Sequence, residues 1–208
     1  MELNYKAQEK RNEVMEVVKD VIMSNETQSI EKNSNFSIQE ISSMITDRFV
    51  YITPFSIETS SRSIFMEPGG MGGGTSKKTG NILLDWRELF VICSDSVLTI
   101  VGAVSIPLLI PLAALVVWNK YYSLTSIQIT ERTAAVIWTM WKNRDIENCI
   151  RAEKILDLTN LELLSYSLPK MTQGELEIII KDLEKIKCIE KTEENKLWLR
   201  EQVIVAYD

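Results

Sequence analysis

The run Val97–Trp118, VLTIVGAVSIPLLIPLAALVVW, constrains this chain more than any other stretch. It holds 22 residues without a charge, and Thr99 and Ser105 are the hydrogen-bonding side chains of its apolar body. A helix of that length rises about 30 Å, at about 1.5 Å per residue, which matches the hydrocarbon core of a bilayer. Asp95 precedes the run, and Asn119, Lys120, Tyr121 and Tyr122 follow it. Polar and aromatic residues at one end suit a membrane interface. The run therefore predicts a transmembrane helix.

The same residues also fit a hydrophobic hairpin buried in a protein core. LTIVGAV is rich in β-branched residues, and Pro107 and Pro111 are able to divide the run into a strand and a short helix. On an unbroken helix, Pro107 and Pro111 lie four apart and share one face, with Gly102 and Ser105 nearby. Small residues and freed carbonyls suit close helix packing or a polar lumen. Gly102, Ser105, Pro107 and Pro111 are thus the candidate membrane or pore residues.

A chain of 208 residues holds one or two domains, and its net charge of −6 does not favour nucleic acid. Residues 1–96 carry 10 basic and 14 acidic side chains, and residues 119–208 carry 13 and 15, so neither half seeks phosphate in bulk. DNA is not an expected partner. The chain has no histidine, which removes the commonest general base and metal ligand together. Cys93, Cys149 and Cys188 are far apart and odd in number, so they suggest buried thiols in a reducing compartment. No catalytic residue, metal site or cofactor is predicted, and the chain does not read as an enzyme. Residues 2–20 hold nine charges of both signs and do not read as a signal peptide. Membrane insertion would then depend on Val97–Trp118 itself.

Residues 4–24 read as an amphipathic helix, with Val14, Val17, Val18, Val21 and Ile22 at helical spacing. After a polar loop, Ser37 and Glu40 form a capping-box pattern for the helix IQEISSMITDRF. Val50–Glu67 is β-like, and PGGMGGGTSKKTG (68–80) then holds six of the eight glycines. A nucleotide-binding loop needs glycine directly before its lysine and a helix after it. Here Lys77 follows Ser76, and the strand-like NILLDWRELFVI comes next. The loop reads as a hairpin tip, with Lys77 and Lys78 as weak anion-contact candidates. Trp86 and Arg87 would sit at headgroup level before the span.

Beyond the run, Thr130 caps the helix ERTAAVIWTMWKN, whose apolar face holds Ala134, Ile137, Trp138 and Trp141. ENCIRA reads as a short strand and AEKILDLTNLELLSYSL as a second helix ending near Pro169. Thr172 caps a third helix, QGELEIIIKDLEKIK, and Cys188–Thr192 and Lys196–Val203 read as two strands. This order over about residues 129–206 resembles a winged helix-turn-helix domain. In DNA-binding members of that fold the third helix enters the major groove with basic or amide side chains. Here it carries Glu175, Glu177, Asp182 and Glu184 against three lysines, which argues for protein contacts or ligand sensing.

The expected fold is α+β in three parts: an N-terminal α+β region (1–96), a transmembrane segment (97–118) and a winged-helix-like domain (119–208). The layout is similar to membrane effectors of bacterial anti-phage defence, in which a soluble sensor controls a hydrophobic element. It implies a homo-oligomeric pore or ion channel in the plasma or inner membrane, with a cytoplasmic C-terminal domain. Its partners would be the lipid bilayer, further copies of itself, and a regulatory protein or ligand at the C-terminal domain. The alternative is a soluble winged-helix transcriptional regulator or adaptor that keeps the apolar segment in its core.

Overall fold

The computed structural model describes residues 2–26, 37–52, 82–94, 106–122 and 127–205. They build seven helices and two three-stranded sheets, an α+β architecture. Helix α1 (Glu2–Glu26) buries Ala7, Val14, Val18 and Ile22 on the stripe that seven- and four-residue spacing brings to one face. It packs on α2 (Ile38–Phe49), where Asp47 accepts a 3.1 Å hydrogen bond from Arg11 Nε. The capping box stands at the start of α2: the Ser37 N–H donates to the Glu40 carboxylate at 2.7 Å, and the Glu40 N–H donates to Ser37 Oγ.

From α2 the chain enters β1 (Val50–Ile52), which pairs antiparallel with β2 (Ile82–Asp85). The glycine-rich stretch 68–80, Lys77 and Lys78 lie outside the described residues. The strand expected through Ile92 stops at Asp85. Its carboxylate accepts from the backbone N–H groups of Arg87 at 2.8 Å and Glu88 at 3.4 Å, which starts α3 (Trp86–Ser94). Trp86, expected at a membrane interface, is fully buried, and Arg87 is exposed.

The apolar run departs furthest from expectation. Its helix, α4 (Ile106–Tyr122), has 17 residues, and Leu108 through Leu115, Val117 and Trp118 are buried. It packs against both α1 and α5 (Glu131–Asn143). Among the described residues no helix is long and apolar enough to cross a membrane. The transmembrane expectation is therefore corrected to a helix covered by protein. A helix apolar on all sides needs apolar neighbours, and here α1 and α5 supply them in place of lipid. Pro107 falls in the first turn, where a missing N–H breaks no helical bond. Pro111 lies within the helix and is buried, while Gly102 and Ser105 lie outside the described residues. At the far end, Lys120 Nζ sits 2.9 Å from Glu13 of α1, which also binds Lys10 at 2.7 Å.

Helix α5 begins at a reciprocal Thr130–Thr133 cap, and every residue from Thr133 to Trp141 is buried. There follow β3 (Cys149–Arg151), α6 (Ala152–Ser165), α7 (Gln173–Lys185), β4 (Ile189–Lys191) and β5 (Lys196–Leu199). This is the element order expected from the sequence, with an antiparallel sheet in the order β3-β5-β4. The strand expected over Lys196–Val203 is broken at Arg200 and Glu201. Arg200 N donates to Cys188 O at 3.0 Å, whereas Glu201 O accepts from Trp86 N at 2.8 Å. The two residues are thus held by different parts of the fold, and the chain turns between them. Strand β6 (Gln202–Val205) then joins the first sheet, in the order β1-β2-β6.

Helices α2, α3, α4 and α5 meet at an aromatic cluster. Trp86 lies 4.9 Å from Phe49, 5.0 Å from Phe90 and 5.9 Å from Trp118, between ring centroids. Phe90 in turn touches Trp138 and Trp141. Trp118 Nε1 donates a buried 3.0 Å hydrogen bond to Ile186 O at the end of α7. Replacing Trp118 by Phe leaves that carbonyl unpaired, and should destabilise the fold by about 1–3 kcal/mol from this cause alone, read as a lower urea midpoint at unchanged slope.

The Glu13 cluster gives an acid dependence. Hydrogen bonds from Lys10 and then Lys120 hold its carboxyl down to about 2. A lowered carboxyl contributes stability above its unfolded value and loses it as pH falls through the folded one. The difference in stability between the wild type and Glu13→Gln should be constant at neutral pH and shrink between pH about 4.5 and about 2, followed by denaturant melts across pH.

Candidate functional site

The chemistry of the described residues does not converge on a reaction centre. No group of three metal-capable side chains lies among them. Cys149 and Cys188 are free and buried, and burial pushes both thiols above their usual range. A thiol raised in this way is a poor nucleophile. Function is better sought on the outer faces of α6, α7 and the β4–β5 turn.

Two polar anchors fix these faces. Glu162, on α6, accepts from the Trp138 indole at 2.8 Å, Lys142 at 2.9 Å and the Tyr166 hydroxyl at 3.0 Å, which ties α6 to α5. Asn160 clamps the backbone of Met171 both ways: Oδ1 accepts from its N–H at 2.6 Å and Nδ2 donates to its carbonyl at 3.1 Å. That clamp sets the chain entering α7. A second capping box then starts the helix, with Thr172 N–H donating to Glu175 at 2.8 Å.

With Leu176 and Leu183 turned inward, α7 exposes Gln173, Glu177, Ile178, Lys181 and Lys185. The acidic outer face expected from the sequence is largely neutralised. Glu175 is held below the usual carboxylate range by the Thr172 backbone and hydroxyl, with help from Arg132, with which it forms an ion pair. Asp182 pairs with Lys185 at 2.7 Å, Glu184 is half-buried, and the exposed Glu177 accepts from Gln173 Nε2 at 3.0 Å. Ile178 is 62% exposed; Leu161 and Leu164 on α6 are 64% and 50% exposed. Three large apolar side chains thus face outward on consecutive helices.

Some cations of this half of the chain are committed to acids, while Lys181 stays exposed on α7 itself. In the β4–β5 turn, where Asn195 takes a left-handed φ of 56°, Lys196 sits 2.8 Å from Glu194 and 3.9 Å from Glu147. Arg200 pairs with Glu190, and Arg144 lies 3.3 Å from the Trp141 ring centroid and 3.4 Å from Glu201.

The sequence candidates do not gather here. Pro111 is in the core, Pro107 is in the first turn of α4, and the other four lie outside the described residues. Sequence reasoning missed Leu161, Leu164 and Ile178, although one signal was present. Ile178, Ile179 and Ile180 are consecutive, and successive helical residues turn by about 100°, so one of the three must leave the buried side. No protein family, curated protein or solved structure matches the chain.

If these side chains serve contact rather than stability, Leu161→Asp and Ile178→Asp should each shift stability by less than about 0.5 kcal/mol, measured by thermal melts with unchanged far-UV circular dichroism.

Proposed function

We propose that residues 127–205 form a winged-helix module that binds protein, and that the chain acts as a regulator or adaptor with its apolar helix kept in the core. The order helix, strand, helix, helix, strand, strand and the sheet order β3-β5-β4 support the module. One observation carries the choice of partner. The two helices whose outer faces would meet DNA in such a fold present Leu161, Leu164 and Ile178, and Glu175 and Asp182 of α7 each stand in an ion pair. Groove readers need basic or amide side chains at those places, and affinity for DNA follows the number of phosphates neutralised. Apolar anchors within a polar surround are what a protein interface uses.

The test is a photo-crosslinking amino acid placed at Leu161, at Ile178 and at the exposed control Lys170, in the full chain inside its native cell. Protein adducts of discrete mass at the first two positions and not at the third are expected. Duplex DNA titrated against the purified chain should give no binding at about 0.1 M salt; tight binding that collapses with added salt would overturn the reading in favour of a DNA-binding regulator. A chain that leaves the cell pellet only with detergent, and that permeabilises liposomes, would replace it with the oligomeric membrane effector.

A further inference from the structure

We draw no further inference here: the strongest candidate, the outer face of the sheet β1-β2-β6 on which Tyr51, Leu83 and Ile204 stand abreast across the strands, is an apolar face without a partner, and nothing in the structure shows what covers it.

Discussion

The stacking of Trp86 on Phe90 and Trp118 is the contact on which the other parts converge. Phe49 reaches it from α2, Trp118 from α4, and Trp138 and Trp141 through Phe90 from α5. Aromatic rings bury large apolar areas and prefer offset or tilted neighbours. A cluster of this kind therefore fixes orientation as well as distance. Trp118 adds direction through its indole N–H, which binds the carbonyl of Ile186 at the end of α7. Helix α4 is thereby tied to the part of the fold that carries the exposed helix faces.

The surroundings of α4 follow from its composition. Ile106–Trp118 has no charge, so no side of that stretch is suited to water. Its polar end is used differently. Lys120 and Asn119 lie just past the apolar residues, and Lys120 reaches back to Glu13 on α1. The charge that would have marked a headgroup boundary in a bilayer marks, in this fold, the edge of a helix–helix contact. Hydrophobicity and length describe the helix, and its neighbours decide what medium it meets.

That distinction explains which elements were legible in the sequence. Local signals held wherever the deciding contacts were local: Ser37 with Glu40, Thr130, and Thr172 each start a helix as expected. The order of elements after residue 130 was also readable, because periodicity and turns lie within each segment. Asp85 shows the opposite case. NILLDWRELFVI alternates well enough for a strand, and one carboxylate that caps a helix changes the outcome. The break at Arg200–Glu201 depends on Cys188 and Trp86, which no local pattern names. The exposed apolar residues of α6 and α7 were half-visible, since Ile178 had no place on the inward stripe. The opposing charges that neutralise α7 were not visible, because Arg132 is 43 residues from Glu175.

The pairing of β6 with β2 also bears on how the protein comes to be made. Asp85 and Gln202 are 117 residues apart and meet in one sheet. Strand β2 therefore waits for one of its two neighbours until almost the whole described chain has left the ribosome. At about 5–20 residues per second, that is a delay on the order of ten seconds, during which Leu84 and the Trp86 cluster lack their final cover. A chain closed by so distant a strand folds late and as a whole, and its early half is exposed to misassembly for as long as synthesis lasts.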